Sequence, residues 1–176
     1  MSEDTAAELE LPTRRAIYQR IVDTPGIHVR ALFDDLDLAK GTVQYHLRWL
    51  EDEDIVEVSD DGEYTRYYPA DSFDESDRQV LNALRRTLAR RVLAYLAAEE
   101  QLTTADLADH LDKSNSTISW HLSKLQDAGL VEKHRDGRCV LYELTDPQRV
   151  RYLYTVYRAS FTDRLVDRLF DLWESY

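Results

Sequence analysis

Two stretches decide the reading: GTVQYHLRWLEDEDIVEV (41–58) and STISWHLSKLQDAGLVEK (116–133). Laid over one another at an offset of 75, Thr42 meets Thr117, His46 meets His121, Leu47 meets Leu122 and Leu50 meets Leu125. The register runs on without a gap to Val56 on Val131, Gly62 on Gly137 and Tyr67 on Tyr142. Backwards it passes through Leu36 on Leu111 and Leu32 on Leu107 to Arg15 on Arg90. Self-similarity held over about sixty positions marks a duplicated unit. The chain reads as two copies of one small domain, 12–70 and 88–145. A helical connector is expected at 71–87, a disordered acidic tail at 1–11 and an amphipathic C-terminal helix at 146–176.

Each copy shows the same element order. In the second, Leu88, Val92, Leu93 and Leu96 recur at helical spacing and predict a helix over 88–98. Thr103-Thr104-Ala105-Asp106 reads as an N-cap with an acid three places on, opening a short helix that turns Leu107 and Leu111 inward. Ser114 or Ser116 caps a third helix whose core face is Ile118, Leu122 and Leu125. Gly129 ends it with a left-handed cap. Leu130-Val131-Glu132 and Val140-Leu141-Tyr142-Glu143-Leu144 are strand-like, joined by the turn Arg135-Asp136-Gly137-Arg138. The first copy repeats this as helices over 13–23, 28–36 and 40–52, then a hairpin over 55–68 turning at Asp60-Asp61-Gly62. The predicted fold class is mainly α with small β-hairpin wings (α+β): three helices and a hairpin, a winged helix-turn-helix, twice.

The stretch LDKSNSTISWHLSKLQDAGLVEKHRDGRCVLYEL (111–144) resembles the ArsR-like and related archaeal winged-helix transcriptional regulators. The residues that carry the resemblance are Ser116-Thr117-Ile118-Ser119, His121-Leu122, Leu125, Ala128-Gly129-Leu130-Val131, Gly137-Arg138 and Tyr142. The first copy matches more loosely. The tandem layout and composition resemble the double winged-helix proteins of haloarchaea. The resemblance implies a sequence-specific regulator that binds double-stranded DNA, with the third helix in the major groove. It also implies dimerisation through terminal helices.

Burying Ile118, Leu122 and Leu125 turns Ser116, Ser119, Trp120, Ser123 and Lys124 outward. These hydroxyls, the aromatic and the cation suit phosphate contacts and modest base reading, with Thr117 alongside. Lys133, His134, Arg135 and Arg138 cluster at the second wing, broken only by Asp136, and suit the DNA backbone or minor groove. The first wing reads Ser59-Asp60-Asp61-Gly62-Glu63, with Arg66 the nearest cation, so three carboxylates would repel phosphate. The first third helix still offers Lys40, Thr42, Gln44, Tyr45 and Arg48. Copy one is thus either a weaker DNA reader working through its helix or a protein-docking module, and the chain as a whole a DNA reader or a scaffold for transcription machinery. His46 and His121 can bond a phosphate or base, or sit half-buried against a backbone carbonyl. Tyr45 and Trp120 can stack on DNA sugars or pack under the wing, and packing is favoured because large aromatics are usually part core. The paired Arg14-Arg15, Arg85-Arg86 and Arg90-Arg91 are candidates for flanking phosphates or for solvated helix surface.

Composition bounds the rest. Hydrophobic residues make up 43% of the 176, enough for packed cores. Lys and Arg number 22 against 34 Asp and Glu, a net charge of −12, which excludes a protein that coats nucleic acid by bulk positive charge. Only four of the cations are Lys, the Asp-rich and Lys-poor balance of proteins that work in molar salt, where carboxylate repulsion is screened within a few Å. Cys139 is the single cysteine, so neither an internal disulfide nor a Cys-based zinc site is expected, and the helix over 104–111 lacks the cysteine pair of the metal-sensing family members. No metal, cofactor, catalytic constellation or membrane span is expected, and the protein is expected to be cytoplasmic. After Asp146-Pro147, an N-cap and a first-turn proline, no breaker follows to Tyr176. Val150, Leu153, Tyr157, Phe161, Leu165, Leu169 and Leu172 advance by three or four, a single stripe along one helix of about 29 residues. A helix longer than either domain would leave that stripe in water, so a homodimer through it is expected, with folding back, broken near Ser160, as the alternative.

Overall fold

The computed structural model describes residues 11–174, with side chains as far as Leu172. Apart from Leu11, the tail expected at 1–11 lies outside the described residues. The chain divides into two compact units, Met1–Arg78 and Gln79–Tyr176. The first contains α1 (Pro12–Asp23), β1 (Ile27–His28), α2 (Val29–Leu36), α3 (Lys40–Asp52), β2 (Val56–Asp60) and β3 (Thr65–Pro69). After α4 (Glu75–Leu84) come α5 (Thr87–Glu99), α6 (Thr104–Leu111), α7 (Asn115–Asp127), β4 (Val131–Asp136) and β5 (Cys139–Leu144). Helices α2 and α6, and α3 and α7, coincide residue for residue at the offset of 75.

The equivalence extends to details that periodicity does not reach. In the first unit Ile27 pairs with Tyr67, which closes a sheet of order β1-β3-β2. In the second, Leu102 and Tyr142, at the same offset, exchange both backbone hydrogen bonds, 3.1 and 2.9 Å. Asp37 and Asp112, each at φ 51, end the equivalent helices α2 and α6 in the left-handed conformation. Past α7, Gly129 at φ 73 is the left-handed residue; past α3 the same place is held by Asp54 at φ 54. Aspartate tolerates this region better than most residues because its short side chain bonds locally. Both ends carry the 6→1 bond of a Schellman motif, Ile55 N–H to Leu50 and Leu130 N–H to Leu125, each 2.9 Å.

The cores follow the predicted faces. Ile17 and Ile21 of α1 meet Val43, Leu47 and Leu50 of α3, with Leu32, Ile27 and Val56 closing the cluster. In the second unit Val92, Leu93, Leu96, Leu107, Ile118, Leu122 and Leu125 are all buried. The caps differ between copies. The Thr103–Asp106 capping box opens α6, and Ser114 rather than Ser116 opens α7, its Oγ accepting from the Thr117 N–H at 3.2 Å. In the first unit His28 caps α2, Nδ1 accepting from the Ala31 N–H at 3.1 Å, and the Ala39 that precedes α3 has no side chain to offer.

The connector expected at 71–87 contains α4, where Asp74 accepts the Asp77 N–H at 2.7 Å, and the helix stops at Leu84, two residues short of α5. One expectation is corrected. The C-terminal segment is not one helix. It comprises α8 (Pro147–Val156), a 3₁₀ turn (Arg158–Ser160) and α9 (Arg164–Glu174), and α9 packs along α5. Val150, Leu153, Tyr154, Phe161, Val166 and Phe170 are buried within the unit, which removes Val150, Leu153 and Phe161 from any surface. Tyr157, Leu165 and Leu169 are half-buried and Leu172 is exposed. The reversal is held at both ends. Tyr154 stacks between Phe161 and Phe170, at 5.3 and 4.4 Å between centroids, and donates its hydroxyl to Asp167 at 2.8 Å. Asp163 Oδ2 accepts from Arg90 Nη2 at 3.1 Å and Arg91 Nε at 3.0 Å, while Arg85 donates to the carbonyl and hydroxyl of Ser160. Arg14 is also withdrawn from solvent: its Nε donates to His46 at 3.3 Å and its guanidinium lies over Trp49. Arg14, Arg85, Arg90 and Arg91 therefore serve the fold.

Removing one partner of a buried ion pair leaves the other charge uncompensated. Asp163→Ala is expected to lower the stability of the second unit by about 3 kcal/mol, read by urea denaturation in molar KCl, and Arg91→Ala, at a half-exposed arginine, by less than half as much.

Candidate nucleic-acid interface

Helix α7 is positioned by its buried face, Ile118, Leu122 and Leu125, so the opposite face is set in register. Ser116, Ser119, Trp120, Ser123 and Lys124 are exposed on it. At its first turn Ser114 Oγ lies 3.0 Å from Ser116 Oγ and 2.8 Å from Thr117 Oγ1, a cluster of hydroxyls around the cap. Thr117 is consequently half-buried. His121 is also half-buried; burial first and then the Arg86 charge hold it below the usual histidine range. Its ring meets Trp120 edge-on, 4.8 Å between centroids. Trp120 itself is 53% exposed, and Lys124 Nζ lies 5.8 Å from its ring. The expectation that Trp120 packs under the wing is corrected, and so is that for Tyr45, which is 64% exposed on α3.

The second wing is a two-residue hairpin with Gly137 at φ 59, pairing Lys133 with Tyr142 and Arg135 with Val140. Strand alternation puts Lys133 and Arg135 on one face, and Arg138 stands in the turn; all three are exposed. His134 points the other way, half-buried, its Nδ1 3.9 Å from Glu143 Oε1. The structure therefore brings together Lys133, Arg135 and Arg138 as the wing's outward cations and sets His134 apart.

The first copy presents Lys40, Thr42, Gln44, Tyr45 and Arg48 on α3, all exposed. His46 is buried, its Nδ1 accepting from Arg14 at 3.3 Å, and burial first and then the Arg14 charge hold it below the usual histidine range. The acidic wing needs a correction. Asp61 does not face outward. Its Oδ1 accepts the N–H groups of Glu63 and Tyr64, and its Oδ2 pairs with the buried Arg66, which in turn donates to the Gly26 carbonyl at 2.9 Å. These bonds outweigh desolvation and hold the Asp61 carboxyl below the usual range. Asp60 and Glu63 remain exposed. The roles of Asp61 and Asp163 escaped the sequence reading because no spacing pattern pairs Asp61 with Arg66 or Asp163 with Arg90 and Arg91.

The serine cap is a separable contribution to the reader helix. Ser114→Ala is expected to cost about 1 kcal/mol, measured as a lowered Tm, while Ala39→Ser at the equivalent position of α3 gains a similar amount.

Comparison with known proteins follows the same division. A model described as an N-terminal HTH domain matches residues 11–81, and one described as a helix-turn-helix domain matches residues 88–134. An uncharacterized HTH-type transcriptional regulator of Methanocaldococcus jannaschii is 31% identical over 134 residues, 76% of this chain and 34% of that protein. A Halobacterium salinarum protein named for repression of the arsenical resistance operon is 38% identical over 72 residues, 40% of this chain and 56% of the relative. The transcriptional repressor SdpR of Bacillus subtilis is 32% identical over 65 residues, 37% of this chain and 71% of the repressor. The chain thus spans about a third of the length of its M. jannaschii relative. The chain belongs to the helix-turn-helix transcriptional regulators, with two winged-helix units and a relative named as an arsenical resistance operon repressor.

Proposed function

We propose that this protein binds double-stranded DNA in a sequence-specific way and regulates transcription, with the second winged helix supplying most of the affinity. The observation that carries this is the outward face of α7 together with the exposed Lys133, Arg135 and Arg138 of its wing, in a chain whose net charge is −12. Cations gathered at one place against that background provide local attraction for phosphate, and α7 provides the hydroxyl and aromatic groups that meet base edges. The first copy contributes Gln44 and Arg48, both competent to read bases, but its wing offers phosphate only Asp60 and Glu63. That sign supports a second reading for the first copy, as a docking surface for transcription machinery.

Binding of the full chain to short duplexes, followed by fluorescence anisotropy, tests the reading. Changing Lys133, Arg135 and Arg138 together to Ala is expected to weaken binding by a few kcal/mol, about 1 for each contact in its share of counterion release. Asp60→Ala with Glu63→Ala is expected not to weaken it. No binding by the unaltered chain at moderate salt would favour the scaffold reading.

We further propose a homodimer through the C-terminal segment. Its support is the apolar surface left after α9 folds back: Tyr152 and Val156, one turn apart on α8, and Leu172 on α9 are exposed. Tyr152→Glu with Val156→Glu is expected to convert a dimer into a monomer in light scattering; an unaltered chain already monomeric at micromolar concentration overturns the proposal.

A further inference from the structure

The two reading helices share a feature that the cores do not require. At one repeat position each carries a large exposed aromatic, Tyr45 on α3 and Trp120 on α7. Each is braced edge-on by the imidazole of the following residue: His46 at 5.2 Å and 70°, His121 at 4.8 Å and 86°. An edge-to-face contact favours one ring orientation, and here it holds the ring off the helix and outside the domain's own core. Around Trp120 the outward face of α7 offers the hydroxyls of Ser116, Ser119 and Ser123 and one cation, Lys124. The exposed Asn115 at the first turn of α7 and Lys124 are of the side-chain types that pair with adenine and guanine, and the ring of Trp120 adds a group of a different kind. The feature of the major groove that an apolar ring can distinguish is the 5-methyl group of thymine.

We propose that Trp120, and Tyr45 at the equivalent place, are specificity-determining residues that read thymine methyl groups in the major groove. This rests on the DNA reading proposed above and adds to it the class of base recognised. An apolar contact releases no counterions, so it persists at salt concentrations that strip phosphate contacts. That property fits an acidic chain with few outward cations on α7.

The test uses the full chain and a pool of randomised duplexes, selected by binding in molar KCl. Enriched duplexes are then remade with deoxyuridine in place of thymidine, which deletes only the methyl group and leaves the base pair. The unaltered protein is expected to bind the uridine duplex about fourfold more weakly for each methyl contacted. Trp120→Ala with Tyr45→Ala is expected to bind both duplexes equally, with an unchanged Tm because both rings are exposed, Trp120→Ala alone to keep only the share of the preference that Tyr45 supplies, and Trp120→Phe to keep the preference. Equal, tight binding of both duplexes by the unaltered protein overturns this inference and leaves the proposed DNA binding standing. Failure to enrich any duplex overturns both.

Discussion

The carboxylate of Asp163 is almost wholly withdrawn from solvent, and the arrangement of the second unit's C-terminal segment depends on it. An isolated buried carboxylate costs several kcal/mol to desolvate, as does the buried Arg90 beside it, and each offsets the other only where they meet. A straight helix from Pro147 would carry residue 163 about 24 Å along its axis, away from α5. The turn at Arg158–Ser160 instead returns Asp163 to Arg90 and Arg91 and brings Phe161 and Phe170 onto Tyr154. On the outer side Arg158 donates to both carboxylate oxygens of Asp171 and to Asp167. Charge pairing and aromatic stacking thus act together on a reversal that no Pro or Gly imposes.

This is why the fold was legible in the sequence up to Thr145 and not beyond. The repeat, the buried faces, the Thr103 and Ser114 caps and Gly129 all follow from local patterns, in which spacing and side-chain type suffice. The stripe from Val150 to Leu172 is equally regular, and its regularity predicts a continuous helix. The break arises from partners far along the chain: Arg90 and Arg91 lie more than seventy residues from Asp163. The candidate interface was legible to the same degree. Ser116, Ser119 and Lys124 and the wing cations stand outward as spacing requires, because alternation and helical period decide orientation. Thr117 and His121 are half-buried, where hydrogen bonding and edge-on ring packing decide, and strand alternation sets His134 off the face of Lys133 and Arg135. The aromatics Tyr45 and Trp120 were misplaced by the general tendency of large rings toward cores.

The two copies use one scaffold with opposite electrostatics at the hairpin. In the second, the turn is Gly137-Arg138 and the cations around it are free of the ladder's other face. In the first, Asp61 is consumed by the turn itself and by Arg66, and Tyr64 stacks on His28 at 4.6 Å. The first wing is accordingly fastened to its own domain by a third strand, an ion pair and a ring stack. The second wing is fastened by the Leu102–Tyr142 bridge and by Gln101, whose Nε2 donates to Glu143 at 2.7 Å. A hairpin with fewer ties to its domain adapts more readily to the width of a groove.

The cap on α2 carries a consequence for acid. His28 accepts the Ala31 N–H through Nδ1, which requires a neutral ring with its proton on Nε2. Burial first, then the Arg66 charge, lowers its affinity for a proton below the ordinary histidine value of 6.5. A lowered folded-state value means that the cap's stabilisation is complete above pH 6.5 and drains away as pH falls towards the folded value. The matching helix in the second copy is capped by Thr103 and Asp106, and hydrogen bonds from Thr103 hold the Asp106 carboxyl below its ordinary 3.8. Between these two ordinary values, mild acid loosens α2 and the His28–Tyr64 stack at the first wing while the α6 cap stays intact. The equivalent caps of one duplicated fold therefore respond to different ranges of pH.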